Sequence, residues 1–214
     1  RGILIRKGEA IQTMKEIKII AFDKTGTITK GKPEVTDIYS KVKQDYLLEI
    51  AGSLEKLSEH QIAKAIIKRA GLKKYKEVKN FKILRGRGVE GNIGKKKIVI
   101  GNTFLIKEKQ ISLRGFEEKI NLFESEGKTT MIIAENGKTL GIIAVADVIK
   151  DEAKKVINYL NWIGYKTAMI TGDNERTAKV IAKHSGIEEV VANVLPEDKV
   201  KKITVFGDTA QVTY

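Results

Sequence analysis

The chain has no cysteine, only two prolines in 214 residues, and few aromatics: six phenylalanines, six tyrosines and one tryptophan. Without cysteine it can form neither disulfides nor thiolate metal sites. Few prolines and an apolar fraction of 42% exclude a disordered or low-complexity chain. No apolar run approaches the roughly 20 residues that cross a bilayer as a helix, and no signal-peptide pattern is present. The chain as given is therefore expected to be soluble.

What it has in excess is positive charge, 40 Lys and Arg against 27 Asp and Glu, a formal balance of +13. Such a balance admits nucleic acid, an anionic membrane surface or an anionic substrate as a partner. The lysines are spread along the whole chain, and only short groups such as Lys95-Lys96-Lys97 stand out. Aromatics do not interleave with them as a base-stacking platform requires. A solvated Lys/Glu-rich surface is the expected reading, with no nucleic-acid partner. Salt-sensitive retention on DNA or RNA that ATP fails to compete away would argue otherwise.

Periodicity divides the chain. Asp151 to Ile163 repeats apolar residues at helical spacing, with Asp151 placed to cap the start and Gly164 to end it. "YKTAMITGDN" reads as a strand running into a polar turn, "NERTAKVIAKHSG" as a helix ending at Gly186, and "EEVVANVL" as a further short strand. Strand-helix alternation predicts right-handed crossovers and a parallel sheet, which "KIIAFD" should join. Between these segments "KPEVTDIY", "VKNFKIL", "GKKKIVIGN" and "TTMIIAENGKTLGIIAVAD" read as antiparallel strands, with Asn136-Gly137 as a hairpin turn. Two helices, about Tyr46 to Leu57 and Glu59 to Ala70, are expected to interrupt them. Ser58 and Gln61 form a capping box for the second, and Gly71 closes it. The expected architecture is a parallel α/β domain, residues 1–31 and 147–214, carrying an inserted α+β antiparallel-sheet domain, 32–146. Hinges are expected at Gly31 to Pro33 and at Ala146 to Lys150.

Two motif matches fail on context. "GRGVEG", Gly86 to Gly91, has dinucleotide-fingerprint spacing but precedes a strand hairpin instead of a helix. "EGKTT" resembles the end of a phosphate-binding loop, yet the glycine required five positions before Gly127 is Leu122.

The chemistry gathers at strand ends. In open parallel sheets ligands sit beyond the carboxyl ends of the strands. "IIAFD" delivers Asp23 there, "AMITGD" delivers Thr171 and Asp173, "IIAVAD" brings Asp147 nearby, and "LPEDK" offers Lys199. Carboxylates, hydroxyls and a lysine at one crevice suit metal-assisted phosphoryl transfer. Asp23 would attack phosphorus, and Asp23 with the Thr25 backbone would hold magnesium, which favours hard oxygen donors. Lys199 would offset the charge of the transferred group, while the Thr171 hydroxyl and Gly172 amide would bind phosphate oxygens. Phosphatases of this architecture carry a second aspartate two places after the nucleophile as general acid and base. Here that residue is Thr25, so an acyl phosphate on Asp23 should persist.

"DKTGTIT" is identified as the phosphorylation motif of P-type ATPases, and its surroundings resemble the heavy-metal-transporting, copper-type branch. "RGILIRKGEAIQ" resembles the segment that leaves the membrane ahead of the phosphorylation domain. "SEHQIAKAI" is similar to that branch's Ser-Glu-His-Pro loop, and "GRGVEG" with Gly101-Asn102 to its nucleotide pocket; "TGDN" and "LPEDK" complete the set. The resemblance implies a haloacid-dehalogenase-like phosphorylation domain, with Asp23, Lys24, Thr25, Thr171, Gly172, Asp173 and Lys199 as catalytic residues. It implies ATP held in the inserted domain by Glu55, His60, Gly86, Gly88 and Asn102, and Mg²⁺ held by Asp23, Thr25 and Asp208. As partners it implies the transmembrane and actuator domains of one pump, and a heavy-metal ion that this part does not itself bind. The location implied is the cytoplasmic side of a cell membrane. Two features depart from the family. Gln61 replaces the proline after "SEH", and the Gly-Asp-Gly-x-Asn-Asp segment that supplies a magnesium ligand is replaced by a single "GD", in which Asp208 would match the first aspartate. A soluble haloacid-dehalogenase-like phosphatase is the alternative; rapid turnover of small phosphate esters would favour it.

Overall fold

Two sheets of opposite character divide the residues that the computed structural model describes, 17–195, Asp198 and 210–213. One is parallel and four-stranded, in the order β10 (Ala210–Thr213), β1 (Ile19–Asp23), β8 (Lys166–Ile170), β9 (Glu189–Val191). The other is antiparallel and six-stranded, in the order β2 (Glu34–Ser40), β7 (Lys138–Ala146), β6 (Thr129–Glu135), β5 (Lys96–Gly101), β4 (Gly88–Ile93), β3 (Val78–Leu84). The chain is thus α/β: a parallel-sheet domain interrupted after its first strand by an α+β antiparallel domain.

The antiparallel sheet is covered by helices on both faces. Because side chains alternate across a strand, neighbours go to opposite sides. Ile98 and Ile100 join Ile133 and Ile143 under α1 (Gln44–Glu55) and α2 (Gln61–Ala70). Val99, Ile132 and Ile142 face α3 (Thr103–Glu108) and α4 (Glu117–Ser125). Burying both faces explains the near-continuous apolar runs of β6 and β7. The hairpin between them turns on Asn136 (φ 48°) and Gly137 (φ 78°), the left-handed pair expected of Asn-Gly.

Three expectations need correction. Four helices, not two, interrupt the strands; α3 and α4 are too short and weakly patterned to be read from periodicity. The Ser58-Gln61 capping box does not form. Instead α2 starts at Gln61 with His60 as its cap, the His60 Nδ1 accepting from the Ile62 amide at 3.2 Å. Ser58 acts one step earlier, its Oγ accepting from the His60 amide at 3.3 Å. Asp151 does not cap α5 (Asp151–Trp162): it is the first helical residue, after Lys150, where it still meets the positive end of the helix. Gly71 and Gly186 close α2 and α6 (Glu175–Ser185) in left-handed conformation, as read.

Between the sheets the two connecting segments run side by side. Lys30 donates its amide to the Val148 carbonyl and Lys150 to that of Ile28, both at 2.9 Å. Asp147 fastens this ribbon, its carboxylate accepting from the Gly31 amide at 3.0 Å and the Lys32 amide at 3.2 Å. Both ends of the inserted domain are therefore held at one point.

Candidate active site between the two domains

The parallel register sets the site. Asp23 is paired with Ile170, so Thr171 emerges beside it at the carboxyl edge of the sheet. Ala21 and Phe22 are buried before it, Asp23 is half-buried, and Thr25 is exposed. The chain reverses at once, with Thr25 extended (φ −78°, ψ 120°) and Gly26 at φ 80°. Thr29, fully buried, closes this turn: its hydroxyl donates to the Lys24 carbonyl at 3.1 Å and accepts from the Gly26 amide at 3.4 Å. The last threonine of "DKTGTIT" is thus a structural clasp for the residues that follow Asp23.

Lys24 turns inward and meets Asp173 at 2.5 Å, Nζ to Oδ2. That carboxylate also accepts from the Thr171 hydroxyl at 3.2 Å and, through Oδ1, from the Thr129 hydroxyl at 3.1 Å. The Asp173 amide donates back to the Thr171 hydroxyl at 3.1 Å. A carboxylate this enclosed is tolerable because each oxygen is paired. Thr129 was not anticipated: it opens β6 in the inserted domain and reaches the strand end of the other domain, in the "EGKTT" stretch set aside as a decoy. Nothing in its sequence context marks it.

The opposite wall comes from the inserted domain. Glu55, the last residue of α1, is 3% exposed, and burial pushes its carboxyl up to about 7. His60 sits at the cleft mouth; crowding by the surrounding protein, then the Lys24 charge, lowers its pKa, with Asp173 opposing. The bond from the Ile62 amide to Nδ1 leaves Nε2 as the protonated nitrogen of the neutral ring. Gly88 lies at φ 149°, where a Cβ would meet the Ile100 carbonyl at 2.1 Å, so only glycine lets β4 approach β5 this closely. Asn102 spends its side chain on local structure: Oδ1 accepts from the Leu105 amide at 3.0 Å and Nδ2 donates to the Gly86 carbonyl at 3.1 Å. It thereby fixes the Gly86 turn against the start of α3.

These walls enclose one cleft of about 370 Å³. Lys24, Thr25, Thr171, Gly172 and Asp173 line it from the parallel domain, and Glu55, His60, Gly86, Gly88 and Asn102 from the inserted one. Asp147 lines it as well, at the hinge. The Asp23 side chain is not part of this lining, although the two residues that follow it in the chain are. Lys199 and Asp208 lie outside the described residues, as does the 1–16 segment. No group of three or more His, Cys, Asp or Glu side chains that could hold a metal occurs among the described residues. One carboxylate, Asp23, and the Thr25 carbonyl are hard oxygen donors. That sparse set fits Mg²⁺, which takes one or two carboxylates and completes its shell with water and substrate phosphate.

A family profile for haloacid dehalogenase-like hydrolases matches residues 17–214. The chain belongs to this family. Within the haloacid dehalogenase-like hydrolases it is 44% identical, over 205 residues and 95% of its length, to a copper-exporting P-type ATPase of Staphylococcus haemolyticus (strain JCSC1435). It is 42% identical over 206 residues to copper-transporting ATPase 2 of Rhizobium meliloti (strain 1021). The chain spans about a quarter of the length of these relatives, 25% of each. Among solved structures, the catalytic domain of the CPx-ATPase CopB-B, studied for its conformational changes on nucleotide binding, superposes with a TM-score of 0.74 at 31% identity. That match covers 98% of this chain and 75% of the other. A zinc-transporting PIB-type ATPase in its E2.Pi state gives 0.61 at 34% identity, covering 99% of this chain and 35% of the pump. No helix among the described residues is long and apolar enough to cross a membrane.

Proposed function

We propose that this chain is the ATP-binding and phosphorylation unit of a heavy-metal-transporting P-type ATPase of the copper type, and that Asp23 is the residue it phosphorylates. The carrying observation is the single cleft shared by Lys24 and Thr25, which directly follow Asp23, by the "TGD" strand end, and by Glu55, His60 and the Gly86-Gly88 turn. The base and ribose of ATP lie against the inserted-domain wall, and its phosphates extend toward Thr171, Gly172 and the end of β1.

An oxygen of the Asp23 carboxylate attacks the terminal phosphorus of ATP. The bond from that phosphorus to the bridging oxygen breaks, and ADP leaves with the electron pair. The Thr171 hydroxyl and Gly172 amide hold oxygens of the moving group, and Lys24 and Lys199 supply positive charge around it. Asp23, the Thr25 carbonyl and Asp208 would hold Mg²⁺, which would offset negative charge on the phosphates. Thr25 has no carboxylate with which to activate water, so the aspartyl phosphate outlives the ADP. A long-lived acyl phosphate suits a pump that converts it into domain movement. It suits a free phosphatase poorly, and no observation favours that alternative. The membrane-spanning and actuator parts of the same pump would be the partners, on the cytoplasmic side of the membrane, with the metal ion carried elsewhere in the protein.

The test is acid-stable, hydroxylamine-labile phosphate incorporation from γ-labelled ATP. Wild type should take up label, and Asp23→Asn should take up none while still binding ATP. Equal incorporation by both would refute the assignment.

A further inference from the structure

Phe104 and Arg87 form a feature that the cleft's assigned residues leave unexplained. Phe104 is 60% exposed, although it lines the cleft in the inserted domain, and Arg87 covers its ring with the guanidinium carbon 4.7 Å from the centroid. Arg87 is held in that position by an ion pair to Glu108 at 2.7 Å. The Asn102 amide donates to the Arg87 carbonyl at 2.9 Å, binding the Gly86-Arg87 turn to the residues that precede Phe104. Ile83, 58% exposed, lines the same lip. Exposed apolar side chains that line one concave surface mark a ligand face more often than chance exposure.

A second, independent observation lies next to the ring. Thr103 also lines the cleft, and its Oγ1 is sealed from water without a hydrogen-bond partner. An orphaned hydroxyl of this kind is costly unless something completes it. The ring offers a flat π-surface polarised by a cation, and the hydroxyl offers one donor and two acceptor sites beside it.

We infer that Phe104, backed by Arg87, is the stacking platform for the nucleobase, and that the Thr103 hydroxyl, sealed in this arrangement, rotates about χ1 to hydrogen-bond the same nucleoside. This deepens the nucleotide reading and rests on it. Stacking makes affinity depend on the base's π-surface, so purines should be held more tightly than pyrimidines, while the phosphates are held elsewhere. Phe104 is then a specificity-determining residue, and Arg87 positions it.

Calorimetric binding of ATP, CTP and inorganic tripolyphosphate separates the possibilities. Phe104→Ala should weaken ATP roughly 5- to 100-fold, the range of base-aromatic stacking, and leave tripolyphosphate unchanged. Phe104→Trp should restore ATP binding, and wild type should prefer ATP to CTP. Thr103→Val should weaken ATP several-fold without lowering the melting temperature, because the orphaned hydroxyl is removed. Unchanged ATP affinity in Phe104→Ala, with His60→Asn still losing ATP, would overturn the platform and spare the cleft. An equal loss of tripolyphosphate would overturn it too. A wild type that binds no ATP would remove both.

Discussion

Lys24 Nζ and Asp173 Oδ2 are 2.5 Å apart, and only 11% and 10% of these side chains are exposed. One follows the phosphorylation candidate directly; the other ends the "TGD" turn on the neighbouring strand. The pair therefore ties the two strand ends across the floor of the cleft. Removing one partner strands the other charge in a poorly hydrated place, which generally costs about 3–5 kcal/mol. Lys24→Met should lower the unfolding free energy from urea titration by that amount, and Lys24→Met with Asp173→Leu should recover part of it. A single variant as stable as wild type would mean that water already reaches the pair.

Glu55 makes stability depend on pH. Its carboxyl is raised by burial to about 7, against the ordinary value of 4.5 in the unfolded chain. Below about 4.5 both states are protonated and the contribution is neutral. As pH rises through 4.5 to 7 the unfolded chain loses the proton first, so stability falls across that window, by about 3 kcal/mol. Denaturation between pH 5 and 8 should show this fall in wild type, and Glu55→Gln should flatten it.

His60 has two separable roles. As the cap of α2, its loss to alanine should cost about 1 kcal/mol. Asparagine can cap equally well, so His60→Asn should keep the wild-type melting temperature and lose ATP affinity. The pKa of His60 is lowered by burial and by Lys24, and its cap bond needs an unprotonated Nδ1. Its contribution is therefore present above the unfolded value near 6.5 and lost as pH falls through the lower folded value. The exchange protection factor of the Ile62 amide should fall in acid in wild type but not in His60→Asn.

The domains also touch outside the cleft floor. Arg176 on α6 hydrogen-bonds Asn121 and lies 3.6 Å from Glu124 on α4, and the Thr177 hydroxyl donates to the Lys128 carbonyl at 2.9 Å. With the Thr129–Asp173 bond these contacts hold the lobes together without a ligand. The half-exposed Arg176 contributes little through its ion pair, about 0–1 kcal/mol, and each hydrogen bond adds about 1 kcal/mol, so the closed arrangement should be easily released. Arg176→Ala with Thr129→Val should lengthen the interdomain distance read by fluorescence transfer between labels on α2 and α5, and saturating ATP should shorten it again. No change in distance would show that the Asp147-fastened ribbon alone sets the geometry.

Local rules made the strand ends legible in the sequence. An apolar run closing on Asp23, a second closing on Thr171, and the Asn136-Gly137 turn follow from the two-residue period of strands and the torsional freedom of Asn and Gly. Order along the chain fixed the insertion, because a parallel sheet needs crossovers and the middle segments had none. The His60 cap is not legible from local rules, since Ser58 and His60 both satisfy local capping chemistry and the structure uses His60. The Thr129–Asp173 bond and the Phe104–Arg87 pair join positions 44 and 17 residues apart, and the orphaned Thr103 hydroxyl has no local pattern at all. Their energies are through-space terms, set only once strands and helices distant in sequence are packed together. The sequence by itself determined which chemistry is present; the tertiary structure decided which side chains share a cleft.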